Sequence, residues 1–133
     1  MHRRTFLAAS AAAATLPMSL RADTPYTPGL IKEALARGET VFVGFSADWC
    51  GTCKAQERVM TKLRSENPAY DEAMTFIRVD WDEFGRTDVT TSRSVPRRST
   101  LIVLRGDEEL GRVVAGTSMA QIKELMDLGL QSS

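Results

Sequence analysis

The sequence contains only two cysteines, Cys50 and Cys53, and a single histidine, His2. A structural zinc site needs about four ligands, usually cysteine or histidine, so the residues for such a site are lacking. A disulfide that closes so short a loop would restrict the unfolded chain little, which disfavours a purely structural bridge. The scarcity of cysteine therefore favours a redox role for this pair over a metal site or an inert disulfide.

Long hydrophobic runs are also absent. The alanine-rich stretch from Ala8 to Leu16 is too short to span a bilayer, which takes roughly 20 residues. It follows Arg3-Arg4, and together these features predict a twin-arginine-type signal peptide over residues 1–22. Cleavage before Asp23 would release the protein into the periplasm, a compartment that is kept oxidising. An uncleaved leader that holds the domain at the inner membrane surface is the alternative.

The sequence also lacks an excess of basic residues. The formal net charge of the whole chain is zero, and loss of residues 1–22 would remove three arginines and leave a mildly acidic domain. A domain without a basic stripe is a poor candidate for binding nucleic acid. We therefore expect protein partners rather than nucleic acid.

Short apolar runs and helical periodicities alternate along the rest of the chain. Residues 23–29 are expected to form a linker, and residues 30–133 one domain. The patterns predict strands over 41–45, 74–79, 101–104 and 110–115, and helices over 30–36, 50–66, 85–93 and after Ser118. Strand–helix–strand order implies a parallel pair, and the last two strands read as an antiparallel hairpin. This order predicts a three-layer α/β/α sandwich with a central mixed sheet.

The two cysteines lie in the motif Trp49-Cys50-Gly51-Thr52-Cys53-Lys54, between the strand over 41–45 and the start of a helix. A thiol in the first turn of a helix faces unpaired N–H groups and the positive end of the helix dipole, and both lower its pKa. The second thiol, three residues on, lies on the same helix face and within bridging reach. The motif predicts a redox-active dithiol that needs no metal and no organic cofactor.

The run Phe45-Ser46-Ala47-Asp48-Trp49-Cys50-Gly51-Thr52-Cys53-Lys54 resembles the active-site segment of the thioredoxin superfamily. Its form most resembles the C-terminal domain of the membrane thiol:disulfide interchange protein that passes electrons into the periplasm. The resemblance covers roughly residues 30–130 and implies a thioredoxin-like fold. It also implies that Cys50 is the exposed attacking thiol and Cys53 the more buried resolving thiol. Trp49 would shield the pair and contact clients, while Gly51 and Thr52 would tune the redox potential and leave the backbone room.

Two positions depart from the family pattern. Thioredoxins carry a buried acid six residues before the first cysteine, where this chain has Gly44. Asp48 and Glu57 are the nearest acids, and neither obviously replaces it, so a different base or water is expected to serve. The dipeptide Gly51-Thr52 lacks the histidine of strongly oxidising relatives, and this absence favours a reductase.

A third departure concerns the proline that the family places, in the cis form, opposite the disulfide. Val95-Pro96 is the candidate for this substrate-binding element, since cis bonds are a proline feature. Ser99-Thr100 is the alternative, because it directly precedes the strand over 101–104. We favour Pro96. Either register would bring Arg93, Arg97 and Arg98 close to the cysteines, either as a thiolate-stabilising group or as a solvated surface loop.

The residues and the resemblance together predict a periplasmic thiol–disulfide oxidoreductase. The Cys50 thiolate would attack a client protein disulfide, and Cys53 would then release the reduced client. A membrane electron donor would reload the dithiol, and the protein is expected to be a monomer. The alternatives are a disulfide oxidase or isomerase, and a non-catalytic thioredoxin-like binding or assembly module.

Overall fold

The computed structural model describes residues 23–131, which contain five strands and six helices. The strands are β1 (Thr24–Pro25), β2 (Thr40–Ser46), β3 (Met74–Asp80), β4 (Thr100–Arg105) and β5 (Glu108–Val114). The helices are α1 (Leu30–Ala36), α2 (Gly51–Glu66), α3 (Ala69–Ala73), α4 (Trp81–Phe84), α5 (Asp88–Thr91) and α6 (Met119–Leu128). The four strands expected from the apolar runs are all present, and α6 begins after Ser118 as predicted.

The strands form one mixed sheet in the order β1-β3-β2-β4-β5. Strands β1 and β2 both run parallel to β3, whereas β4 runs antiparallel to β2 and to β5. Phe45, near the end of β2, lies opposite Thr100 at the start of β4. The segment that follows β2 and the segment that precedes β4 therefore meet at the same end of the strands.

Both faces of the sheet are covered, which confirms the three-layer α/β/α prediction. Successive residues of β2 point to opposite faces, as the period of a strand requires. Phe42 joins the core under α2, α3 and α6, which includes Met60, Leu63, Tyr70, Phe76, Leu101, Val103, Ile122, Leu125 and Met126. Val41, Val43 and Phe45 join the core on the other face, which includes Ile31, Ala34, Ile77, Val79, Val95, Ile102 and Leu104.

The expected linker belongs to the domain. Within residues 23–29, Thr24–Pro25 form strand β1, and the Tyr26 N–H donates to the Arg78 carbonyl at 2.8 Å. Asp23 also forms an ion pair with Arg64 of α2. A two-residue strand carries no readable periodicity, and its proline is tolerated because β1 lies at the edge of the sheet. The sequence pattern therefore could not reveal it.

The chain between β3 and β4 also differs from expectation. Instead of one helix over 85–93, it contains the two short helices α4 and α5. Residues 1–22, the expected leader, lie outside the described residues. Between residues 23 and 131, no helix combines the length and apolarity that a membrane span requires.

Candidate active site

Cys50 and Cys53 lie between the end of β2 and the first turn of α2, at the end of the sheet where β4 begins. Cys50 is the N-cap of α2, and its sulfur accepts a hydrogen bond from the Cys53 backbone N–H at 3.1 Å. This contact is the one that a thiolate at a helix start is expected to make. Both cysteines are present as free thiols.

Both sulfurs are enclosed by protein. The exposed fractions of Cys50 and Cys53 are 2% and 1%, so the expectation that Cys50 is the exposed thiol is wrong for this structure. The reason lies in the segment before β4, because the Ser99 hydroxyl lies 3.2 Å from the Cys50 sulfur and Arg98 packs over the neighbouring Trp49 ring. A client disulfide reaches Cys50 only if part of this cover shifts.

The environment of Cys50 favours its thiolate. Burial raises the pKa of the Cys50 thiol, but interactions with the Cys53 thiol, the Ser99 hydroxyl, the Cys53 N–H and the Arg98 side chain outweigh it and lower the pKa to about 7. A substantial fraction of Cys50 is therefore ionised near neutral pH, and the thiolate is the form that attacks a disulfide.

Ser99, and not Pro96, faces the dithiol. The Ser99 Oγ lies 3.2 Å from the Cys50 Sγ and 3.1 Å from the Cys53 Sγ. No peptide bond between residues 23 and 131 is cis. The Pro96 side chain is exposed, and Val95 packs into the core on the other face of the sheet. The preference for Val95-Pro96 as the element opposite the cysteines is therefore wrong.

The strand register explains this outcome. Thr100 pairs with Phe45, so Ser99 is the residue that comes directly beside the end of β2. The Ser99 N–H donates to the Phe45 carbonyl at 2.7 Å, and the Ser99 carbonyl accepts from the Ala115 N–H at 2.8 Å. Pro96 lies three residues further from the strand, beyond a turn that the Thr100 hydroxyl closes on the Arg97 carbonyl at 2.7 Å.

Gln56 is a site residue that sequence reasoning missed. It is buried, and its side-chain Nε2 donates to the carbonyls of Ser99 and Gly116 at 2.9 and 3.0 Å. It lies one turn after Cys53, on the same helix face. The sequence could have indicated Gln56 as a polar residue among the inward-facing positions of a helix, because a buried amide must find hydrogen-bond partners.

Trp49 stands at the rim of the site. Its side chain is 59% exposed, and its indole Nε1 donates to both carboxylate oxygens of Asp82 at 3.0 Å. The guanidinium carbon of Arg98 lies 4.5 Å from the centre of the Trp49 ring, a cation–π contact. The indole is thus held between the Asp82 carboxylate and the Arg98 guanidinium, and the rest of its surface is open to a partner.

The central dipeptide is less constrained than expected. A side-chain carbon added at Gly51 would meet no atom within 4 Å, so the described structure does not require glycine there to give the backbone room. Thr52 is half-buried. The roles of these two residues in tuning the redox potential stay predictions.

Of the three arginines expected near the cysteines, Arg98 is the one in contact with the site. Arg97 turns back on its own segment, where its Nε donates to the Arg98 carbonyl at 3.0 Å. Arg93 lines a surface depression with Lys32 and Gly106. Gly106 directly follows the last residue of β4. Arg93 therefore lies at the end of the strands opposite to the end that carries the thiols.

A small cavity lies behind Cys53, beside Gly44, the position at which the resemblance placed a buried acid. It has a volume of about 10 Å³, close to that of one water, and Gly44, Cys53, Gln56, Glu57 and Arg78 are among its lining residues. The Glu57 carboxylate accepts from the Ser46 hydroxyl at 2.9 Å and lies 3.7 Å from the Arg78 guanidinium. Asp48, the other acid considered, has an almost fully exposed side chain paired with Arg78.

Comparison with known proteins agrees with this geometry. The thioredoxin family model matches residues 27–128. A thioredoxin of Echinococcus granulosus is 34% identical over 110 residues, which cover 82% of this chain and 96% of that protein. Thioredoxin-1 of Saccharomyces cerevisiae is 34% identical over 91 residues, which cover 68% of this chain and 82% of that protein.

Solved structures show the same fold. The crystal structure of Trxlp from Edwardsiella tarda EIB202 is 32% identical, with a TM-score of 0.67 over 78% of this chain and 98% of that chain. A thioredoxin of Trypanosoma brucei brucei, 24% identical, superposes with a TM-score of 0.64 over 80% of this chain and 88% of that chain.

Proposed function

The chain belongs to the thioredoxin family and is a thiol:disulfide oxidoreductase, and from this premise we propose that it works in the bacterial periplasm, where it reduces disulfides of client proteins. The Cys50 thiolate attacks the client disulfide and forms a mixed disulfide. Cys53 then attacks Cys50, so that the reduced client leaves and the Cys50–Cys53 disulfide remains.

The observation that carries the reducing direction is the acidity of Cys50. Its pKa of about 7 is that of a moderately stabilised thiolate, close to the value of about 7 in reducing thioredoxins and far above the value of about 3.5 in a strong oxidant. A less stabilised thiolate makes the dithiol a better electron donor. The absence of histidine between the cysteines supports the same direction, because no imidazolium stabilises the thiolate.

The proposed location rests on residues 1–22, which lie outside the described part of the structure. Their support is the Arg3-Arg4 pair followed by a short apolar stretch. The likeness of the Ala47–Lys54 segment to the C-terminal domain of the periplasmic interchange protein points to the same compartment. In an oxidising periplasm a reductase must be reloaded, so the proposal includes a membrane protein as electron donor.

The reduction potential of the Cys50–Cys53 pair tests the direction. The purified protein is equilibrated with dithiol buffers of graded potential, and the fraction of alkylated thiol is read at each. We expect a potential near about −230 mV or below, in the range of reducing members of the family. A potential near about −120 mV would instead identify an oxidant and would sink the proposed direction.

The location has a separate test. An alkaline phosphatase domain, which is active only after export and disulfide formation, is fused to the C-terminus of the full chain. We expect activity from the native leader and its loss in an Arg3→Lys, Arg4→Lys variant, whose apolar stretch is unchanged. Equal activity of the two fusions would contradict the twin-arginine route, and inactivity of both would contradict export.

Client capture distinguishes the oxidoreductase from a non-catalytic binding or assembly module. A Cys53→Ser variant lacks the resolving thiol and should accumulate mixed disulfides that dithiothreitol releases. The matched control is the Cys50→Ser, Cys53→Ser double variant, which should capture nothing covalently. A binding module would retain its cellular activity in the double variant, whereas the proposed reductase loses it.

A further inference from the structure

We propose that the Ser99 hydroxyl is a catalytic group of the exchange, carrying the proton that Cys53 must lose when it attacks Cys50. The hydroxyl lies within hydrogen-bond distance of both reacting sulfurs, 3.1 Å from Cys53 and 3.2 Å from Cys50. A serine hydroxyl has one proton to donate and lone pairs with which to accept, so it can accept from one sulfur while it donates to the other.

The start of the helix sets the direction of this hydrogen-bond chain. The Cys53 backbone N–H donates to the Cys50 sulfur at 3.1 Å, which favours the negative charge of the dithiol on Cys50. The Ser99 hydroxyl then donates to the Cys50 thiolate and accepts from the Cys53 thiol. Behind Cys53, the charged groups lining the cavity are Asp23, Glu57 and Arg78, and the Glu57 carboxylate already accepts from Ser46.

The proton balance of client reduction follows from this arrangement. The Cys50 thiolate attacks the client disulfide, whose S–S bond breaks, and the first client thiolate leaves and takes a proton from solvent. In the mixed disulfide, Cys53 attacks the Cys50 sulfur. Its thiol proton passes to the Ser99 oxygen, and the Ser99 proton passes to the second client sulfur as the Cys50–client bond breaks. The products are the Cys50–Cys53 disulfide and two client thiols, so two electrons have moved to the client.

Burial leaves two routes for this proton, the Ser99 hydroxyl and the cavity lined by Glu57. Cys53 is 1% exposed and Ser99 is fully buried, so bulk water does not reach the proton that must leave. The leaving client sulfur is bonded to the Cys50 sulfur, which lies 3.2 Å from the Ser99 oxygen, and the proposal requires the Ser99 side chain to turn toward it as the bond breaks. Ser99 thus connects the thiol that loses the proton with the sulfur that needs it.

The backbone holds Ser99 at this place without help from its side chain. Its N–H and carbonyl bond to Phe45 and Ala115, and Gln56 donates a further hydrogen bond to the same carbonyl. The φ angle of Ser99 is +65°, in the left-handed region that glycine adopts without cost. The chain nevertheless has a side chain here, and its hydroxyl is the part that touches the sulfurs.

A Ser99→Gly variant tests the proposal, because glycine suits this backbone and removes only the hydroxymethyl group. The resolution step is followed by stopped flow, as release of a fluorescent thiol from a preformed Cys50 mixed disulfide between pH 5.5 and 9. We expect resolution to slow at least tenfold at pH 6, with the difference from wild type shrinking as hydroxide becomes available to take the proton at higher pH. A wild-type rate with an unchanged pH profile would overturn the proposal.

Ser94→Gly is the matched control, because Ser94 also has a positive φ, +54°, but is exposed, and its backbone bonds to Thr91 and Arg112 instead of to the active-site segments. It should resolve at the wild-type rate. Glu57→Gln tests the competing carrier behind Cys53 and should change the rate less than twofold. If Glu57→Gln slows resolution tenfold and Ser99→Gly does not, the proton leaves through the cavity and the proposal fails.

A measurement on the unaltered protein covers the case in which Ser99→Gly fails to fold. Above pH 8 Cys50 is largely ionised, so the infrared S–H stretching band of the reduced protein reports Cys53. We expect this band at a lower frequency than in a free cysteine thiol, because the Cys53 S–H donates to the Ser99 oxygen. A band at the free-thiol frequency would contradict the hydrogen-bond chain.

Discussion

The side chain of Gln56 ties the catalytic helix to the Ser99 carbonyl at 2.9 Å, and thereby sets the distance between the dithiol and the hydroxyl that faces it. The same Nε2 group also donates to the Gly116 carbonyl at 3.0 Å. One amide therefore connects α2 with the two segments that flank the β4–β5 hairpin. Elements remote from each other in the chain are held together at the site by a single buried side chain.

Replacement of Gln56 by methionine should destabilise the protein. Methionine keeps the shape of the side chain but removes the donor to the buried Ser99 carbonyl and to the half-buried Gly116 carbonyl, at a cost of about 2 kcal/mol in the free energy of unfolding. Urea unfolding of the reduced protein measures it. Gln121→Met, at an exposed position of α6, is the control and should change the free energy by less than about 0.5 kcal/mol. Equal effects of both would show that the amide contacts contribute nothing.

The stability of the reduced protein should depend on pH through Cys50. Its pKa is lowered from the ordinary 9.0 to about 7 in the folded state, so folding favours the thiolate. This contribution is fully present above pH 9, declines as the pH falls from 9 to 7, and is absent below the folded pKa. Denaturant unfolding at pH 6 and pH 9 under reducing conditions should show the difference, and Cys50→Ser should lose it. A wild-type protein with equal stability at both pH values would contradict the lowered pKa.

Arg98→Ala should weaken the Cys50 thiolate. Arg98 is one of the groups that lower the Cys50 pKa, and loss of such an interaction with a charged group corresponds to an increase of about one unit in the Cys50 pKa. The rate of alkylation by iodoacetamide as a function of pH measures this value. Arg97→Ala is the matched control, since the Arg97 Nε bonds to the Arg98 carbonyl instead. A Cys50 pKa that is equal in the two variants would refute the assigned role of Arg98.

Trp49 should matter for protein clients and not for small disulfides. Its side chain is 59% exposed beside the buried sulfurs, and a central interface aromatic contributes roughly 1–2 kcal/mol to binding. Trp49→Ala should therefore slow reduction of a protein disulfide about tenfold while the rate with oxidised glutathione changes less than twofold. Asp82→Asn, which keeps a hydrogen-bond acceptor for the indole, should stay near the wild type. Equal losses of rate with both substrates would show that Trp49 affects the reactivity of the thiols and not contact with the client.

Most of the fold could be predicted because it is encoded in local patterns. The apolar run over 41–45 lies within β2, and Ser118 caps α6 by accepting from the Gln121 N–H at 3.1 Å. Strand β1 could not be predicted, since Thr24–Pro25 becomes a strand only by pairing with Ile77 and Arg78. The helix predicted over 85–93 contains α5 but not α4, which was missed because a segment of four residues carries little periodicity.

The sequence by itself determined the chemistry of this protein, because two thiols at the spacing of one helical turn, directly after a buried strand, place a redox pair at a helix N-terminus wherever that helix packs. Only the tertiary structure decided what faces the pair. The antiparallel register of β2 and β4, in which Phe45 meets Thr100, brings Ser99 to the sulfurs and leaves Pro96 outside. Such a register depends on the packing of both sheet faces, so the pattern within residues 95–100 could offer Ser99-Thr100 only as an alternative to Val95-Pro96.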